Sequence, residues 1–301
     1  AMGRFGKVLT AMITPFDKDG ALDLDVAAQL ANWLVDHGND GLVIAGTTGE
    51  SATLTHDEQI ELIRTVAGAV DVPVIAGTGS NDTAAAIDLT ERATAAGADG
   101  ILVVTPYYNR PSQAGLLGHF QAVAAATDLP VVVYDIPVRT GRKIETDILL
   151  ELAHDVDNIV GLKDAAGSPA ETAVFIAEAP EDFDVYSGDD NLSLPFISVG
   201  ATGVIGVATH WTGAEHQDMF AAIDKGDLAA ATAINQSLLQ SFAFETGLDA
   251  PNPIPTKAMM RVIGIPVGHG RPPMDVEPHG TEEAARTVLA NTQLGAELGI
   301  S

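Results

Sequence analysis

The sequence predicts an α/β fold, a (β/α)8 TIM barrel carrying a C-terminal helical appendage, and three observations lead there. Eight short apolar, β-branched runs recur along the chain. Segments with helical spacing separate them. The length of 301 residues suits one α/β barrel, which takes roughly 250 residues plus insertions.

The runs lie at residues 8–13, 41–45, 73–76, 100–104, 130–134, 159–163, 183–186 and 203–207. Their near-continuous apolar character marks strands buried on both faces of a parallel sheet. Residues 24–35, 58–70 and 83–96 read as amphipathic helices; in the second, Ile60, Ile63 and Ala67 share one stripe. Thr55 followed by Glu58 is a capping-box pattern, Asn81-Asp82 opens the next helix, and Gly38 and Gly97 stand at helix ends. Eight strand-helix units most simply close into a barrel. A doubly wound open sheet is the alternative. Gly77-Thr78-Gly79 is no dinucleotide fingerprint, because position 82 is Asp where a third glycine is required.

A helix near 213–224 completes the barrel, and further helices follow at 228–244, 254–262 and 281–298, joined by proline-rich stretches at 251–255 and 272–278. The expected organisation is a catalytic barrel over 4–225 and a helical region over 226–301.

Composition narrows the function. The chain has no cysteine, which removes disulfides, thiol catalysis and Cys-based zinc sites and fits a cytoplasmic location. The eight histidines are scattered, with no ligand-like spacing, so no metal site is expected. A net charge of −26 argues against nucleic acid and anionic membranes as partners. No run reaches the roughly 18 apolar residues of a membrane helix. The opening Ala1-Met2-Gly3 lacks a secretory pattern and reads as a cloning remnant before a native start near Gly3 or Arg4.

Barrel chemistry sits at the C-terminal ends of the strands. Lys163 falls there, directly after the apolar Ile159-Val160-Gly161-Leu162. Burial favours the neutral amine, a nucleophile toward carbonyls. The competing reading is a structural ion pair with an acid such as Asp164. Tyr134 ends the preceding strand at the same layer, where a phenol can pass protons to a bound carbonyl or carbinolamine; alone it could be an ordinary buried aromatic. The Gly46-Thr47-Thr48-Gly49 turn can curl its amides into a nest for a carboxylate, or be a plain turn. Arg139, on the loop after the fifth strand, is suited to holding a second carboxylate, or is a surface arginine.

Six phrases carry a further signal: GTTGES at 46–51, TPYYNRPSQ at 105–113, YDIPVRTG at 134–141, GLKDAAG at 161–167, SGDD at 187–190 and NPIPTK at 252–257. In this order and spacing they resemble the dihydrodipicolinate synthase family, within the N-acetylneuraminate lyase superfamily of pyruvate-binding barrels. The resemblance runs from about Gly6 into the C-terminal helices. It implies a Schiff base between Lys163 and pyruvate, with no separate cofactor. Thr47 and Thr48 would hold the pyruvate carboxylate. Tyr134, Thr47 and Tyr108 would form a proton relay, with Tyr108 reaching in from a neighbouring subunit of a homotetramer built as a dimer of dimers. Arg139 would bind the carboxylate of L-aspartate 4-semialdehyde, and Gly188 and Ile205 would line the pocket near the lysine. The implied reaction yields 4-hydroxy-tetrahydrodipicolinate on the way to diaminopimelate and lysine. The alternatives are a 2-keto-3-deoxy sugar-acid aldolase or N-acetylneuraminate lyase-like enzyme and, outside catalysis, a pyruvate-binding regulatory barrel.

One departure concerns regulation. The lysine-inhibited pattern of the family maps onto Ser51, Ala52, His56, Gln59, Asn81 and Tyr107, but its glutamate is replaced by Ala85. Losing that partner for the ligand's ammonium implies weak or absent lysine feedback.

Overall fold

The computed structural model describes residues 3–300. The reading of Ala1 and Met2 as a cloning remnant lies outside the described residues. Eight strands run β1 (Val8–Ala11), β2 (Gly41–Ile44), β3 (Val74–Gly77), β4 (Gly100–Val104), β5 (Val131–Asp135), β6 (Ile159–Asp164), β7 (Asp184–Ser187) and β8 (Gly203–Gly206). All pair in parallel, and β1 bonds both β2 and β8, so the sheet closes and the open-sheet alternative falls away.

The helices within and directly after the barrel are α1 (Leu24–Asp36), α2 (His56–Ala67), α3 (Thr83–Ala95), α4 (Gln113–Ala124), α5 (Pro137–Thr140), α6 (Thr146–Asp155), α7 (Pro169–Glu178), α8 (Ser193–Ser198) and α9 (Thr209–Asp224). Their starts follow local chemistry. Thr55 and Glu58 form the reciprocal capping box, each accepting from the other's backbone N–H. Asp82 caps α3 through the Ala84 amide.

The C-terminal region holds α10 (Leu228–Ser237), α11 (Leu239–Phe244), α12 (Ile254–Ile263), α13 (Thr281–Leu289) and α14 (Gln293–Glu297). Two helices expected as continuous are broken. The first breaks at Leu238, which is buried with Trp211 and Phe242, so the chain turns to keep that contact. The second breaks before Thr292, whose hydroxyl caps the Gly295 amide. A β-carbon on Gly295 would fall 1.8 Å from the Leu289 carbonyl oxygen, so only glycine fits that turn. α9 starts a turn earlier than expected, with non-helical geometry at Thr212 where two helical pieces join.

Strand alternation sorts the core into two layers. Val132, Tyr134, Ile205 and Tyr186 belong to the cluster inside the barrel. Val131, Val133 and Leu162 belong to the outer cluster beneath the helices. This period places Tyr134 and Lys163 on the inner face and sends their successors, Asp135 and Asp164, outward. Among the described residues, no helix is long and apolar enough to cross a membrane.

Candidate active site

Tyr134 on β5 is the register partner of Lys163 on β6. The Lys163 Nζ lies 4.3 Å from the centre of the Tyr134 ring. Lys163 is 5% exposed. Burial pushes its amine down to about 8, while Asp189 and Asp190 pull the other way. Among the described residues, no carboxylate lies within ion-pair distance of it. The structural ion pair with Asp164 does not form. That carboxyl points outward, accepting from the Thr172 hydroxyl at 2.6 Å and the Ala166 amide at 2.9 Å. Lys163 is therefore a buried amine held by desolvation beside a ring face.

A second buried lysine gives the contrast. Lys257 on α12 is also pushed down to about 8 by burial, but Glu50 Oε2 lies 2.6 Å from its Nζ. One lysine has its carboxylate and the other has none. That difference, more than burial, marks Lys163 as free to react.

The Tyr134 hydroxyl is pushed up by burial, with Arg139 and then the Thr47 hydroxyl among the groups that offset it. A protonated phenol is thus held beside the amine at neutral pH. Thr47 opens the turn after β2, flanked by Ala45 and Glu50 in left-handed geometry, with φ of 59° and 55°. The Thr47 and Thr48 amides find no acceptor among the described residues, whereas the turn's outer groups are engaged: Thr14 Oγ1 donates to the Gly49 carbonyl at 2.6 Å, and Asn252 Nδ2 donates to Thr48 Oγ1 at 2.9 Å. Two unengaged amides on a curled turn, with Thr48 buried and Thr47 open to the cavity, form an anion nest.

A cavity of about 410 Å3 opens over Thr47 and Tyr134, with Lys163 and Thr48 behind its lining. Gly46, Thr47, Tyr134, Ile136, Arg139 and Thr140 line one part, and Ser51, Ala52, His56, Gln59 and Tyr107 line the rest. Arg139, on α5, is exposed and makes no ion pair among the described residues. Asn81 is outside this lining; its carbonyl accepts from Asn109 Nδ2 at 2.8 Å. Ile205 and Gly188 are also outside it. Ile205 shares the inner cluster with Tyr134. The Gly188 amide donates to the Asp164 carbonyl at 2.7 Å, and a β-carbon there would fall 2.7 Å from that of Ala165. Tyr108 is 90% exposed and turned away from its own barrel, with φ of 74°.

Sequence reasoning missed a buried acid cluster behind the lysine. Asp190 accepts from the Val207 amide at 2.7 Å, and Glu245 accepts from the next amide, Ala208, at 3.0 Å. Burial and the neighbouring Asp190 hold the Glu245 carboxyl well above the usual range. His216 Nε2 lies 3.8 Å from Asp190 Oδ1. The scattered histidines offered no carboxylate pairing in the sequence; folding supplies this one. Asp190 stood in the SGDD phrase, but nothing local signalled Glu245 or His216.

Fold and site together define a barrel with a buried amine that has no ion-pair partner among the described residues, a phenol beside it, and an anion-nest turn that opens with that phenol onto one cavity: a scaffold able to add an amine to the carbonyl of a small oxo acid. The family model described as the dihydrodipicolinate synthetase family matches residues 4–291. The 4-hydroxy-tetrahydrodipicolinate synthase of Moorella thermoacetica is 47% identical, covering 97% of this chain and 99% of its own. That of Acidothermus cellulolyticus is 52% identical over 90% of this chain and 87% of its own. The crystal structure of the enzyme from Cyanidioschyzon merolae with lysine bound aligns with a TM-score of 0.94 at 42% identity, covering 97% and 99% of the two chains. This chain belongs to the dihydrodipicolinate synthetase family.

Proposed function

We propose that the chain condenses pyruvate with L-aspartate 4-semialdehyde to 4-hydroxy-tetrahydrodipicolinate through an imine on Lys163, as a lyase of lysine and diaminopimelate biosynthesis. The observation that carries the imine is the pairing of an unpartnered, buried amine with Tyr134 on the adjacent strand. Family membership supports the overall reaction.

The neutral Lys163 amine adds to the pyruvate ketone, and loss of water gives the imine. The free amides of Thr47 and Thr48 receive the pyruvate carboxylate. Loss of a methyl proton gives the enamine, which attacks the aldehyde carbon of the semialdehyde and forms the new C–C bond. The semialdehyde's amino group then adds to the imine carbon and expels the Lys163 amine, closing the ring. Tyr134 supplies and recovers protons through these steps, with Thr47 linking it toward Tyr108 of a second subunit. Arg139 at the mouth receives the carboxylate of the semialdehyde. Ile205 and Gly188 shape the space around the lysine. The assembly we infer is a homotetramer of paired dimers, working in the cytoplasm without a separate cofactor.

Borohydride reduction in the presence of pyruvate, followed by intact mass, tests the imine. A stable adduct is expected on the native chain and none on Lys163→Ala; an unmodified native chain would overturn the mechanism. Adding L-aspartate 4-semialdehyde and following product then separates the condensation from sugar-acid cleavage.

A further inference from the structure

The Thr47–Thr48 turn is closed by its own backbone bonds, Glu50 amide to Thr47 carbonyl at 3.0 Å and Ser51 amide to Gly46 carbonyl at 3.3 Å, but these are not its only supports. Both of its flanks, Ala45 and Glu50, are non-glycine residues in the left-handed region, a geometry that persists only where surrounding contacts enforce it. Beside Thr14, which holds the Gly49 carbonyl, side-chain contacts reach the turn from the C-terminal region, some two hundred residues away in sequence. Asn252 Nδ2 donates to Thr48 Oγ1 at 2.9 Å, with Asn252 9% and Thr48 3% exposed. Lys257 Nζ lies 2.6 Å from Glu50 Oε2 and donates to the His269 carbonyl at 3.0 Å. The Arg271 amide donates to Glu50 Oε1 at 3.0 Å. Glu50 and Lys257 are 4% and 1% exposed, so this pair is shielded from solvent screening.

We propose that Asn252 and the buried Glu50–Lys257 pair are positioning residues for the substrate carboxylate, clamping the Thr47–Thr48 turn from the C-terminal region so that its free amides converge. The clamp grips both ends of the nest. Asn252 fixes the Thr48 side chain, so the Thr48 hydroxyl proton points elsewhere than at Asn252. The ion pair fixes Glu50 and with it the direction of chain exit. Neither contact touches the reacting carbon. Asn252 grips Thr48, which takes no part in the relay, and not Thr47, so the clamp acts first on oxo-acid binding. The C-terminal helices are then part of the substrate site, not an appendage to it.

This inference rests on the pyruvate reading, and the test separates the two. Borohydride trapping is run on the full-length protein across a pyruvate series, beside steady-state assays with both substrates. Asn252→Ala is expected to raise the half-saturating pyruvate about tenfold, the loss of roughly one buried hydrogen bond. Its kcat and its KM for L-aspartate 4-semialdehyde should stay within about twofold of the native values. Asn252→Leu, similar in volume but without the donor, should match it and serves if the alanine variant unfolds. The double variant Glu50→Gln/Lys257→Met removes both buried charges together and should show the same selective shift. An unchanged pyruvate half-saturation in folded variants would overturn the proposal. So would a uniform loss across both substrates and kcat, which marks a general structural role. Absence of trapping in the native protein would instead overturn the pyruvate reading.

Discussion

Lys163 and Tyr134 face each other across the β5–β6 ladder, with the lysine nitrogen 4.3 Å from the centre of the phenol ring. The ring face favours a cation, while burial favours the neutral amine, so the amine is held near the point where both forms are accessible. Tyr134→Phe keeps the ring and removes only the hydroxyl. The pyruvate adduct should still form on that variant, but kcat should fall at least ~100-fold, the scale of a positioned proton donor. Steady-state rates beside intact-mass trapping check both halves; full turnover in Tyr134→Phe would remove the phenol from the relay.

The amine titrating at about 8 gives a pH signature. Only the neutral form adds to a ketone, so the trapping rate should rise roughly tenfold per unit below pH 8 and level off above it. Stability has its own sign. The folded value of about 8 is below the ordinary 10.5, so between these the unfolded chain binds the extra proton. Stability should therefore rise with pH across about 8 to 10.5. Lys257, also at about 8, adds in the same direction. Lys163→Met should flatten part of that rise without abolishing it, as read from denaturation midpoints at several pH values.

Arg139, without an ion-pair partner among the described residues, lines a cavity that Thr47 and Tyr134 also line. A charge-assisted bond to a carboxylate is worth about 1.5–3 kcal/mol. Arg139→Ala should raise the KM for L-aspartate 4-semialdehyde by roughly one to two orders of magnitude and leave pyruvate trapping unchanged. Efficient cleavage of a 2-keto-3-deoxy sugar acid, indifferent to Arg139, would favour the aldolase alternative.

The fold was legible because each strand is a compact apolar run and each break carries a cap or glycine, as at Thr55 and Gly38. Lys163 was legible for the same reason, as a charge in an apolar strand. What separated it from an ion-paired lysine was not. That required seeing Asp164 turned outward to Thr172. Lys257 is as deeply buried, within Ile254-Pro255-Thr256-Lys257-Ala258-Met259, and only its 2.6 Å approach to Glu50, far away in sequence, shows it to be satisfied. The broken helices at Leu238 and Thr292 escaped sequence reading because tertiary burial, not local propensity, decides them.

Tyr108 is 90% exposed in left-handed geometry, and its amide donates to the Thr140 carbonyl at 3.2 Å on the loop after β5. An aromatic held outward in that geometry fits a residue given to a neighbouring copy. Mixing Tyr108→Phe with Lys163→Ala subunits tests this. Each inactive parent supplies what the other lacks, so random re-pairing should restore about a quarter of native activity if the site is shared. No recovery, or a monomer by sedimentation, would confine Tyr108 to its own chain.

Regulation follows from the cavity's shape. Ser51, Ala52, His56, Gln59 and Tyr107 line the same space as Tyr134 and Arg139, so a ligand seated there would sit against the substrate path. The donors for a carboxylate are present, but the helix that should carry the ammonium's partner has Ala85. An amino acid whose ammonium gains no carboxylate in exchange for its hydration binds weakly. Millimolar lysine should therefore leave activity within about twofold of its uninhibited value, while Ala85→Glu should confer measurable inhibition. Strong inhibition of the native chain would show that another acid takes the ammonium; Glu50 is already committed to Lys257, and Asp88, whose carboxylate stands 4.0 Å from the His56 ring and 3.6 Å from Arg92, is one residue to replace next.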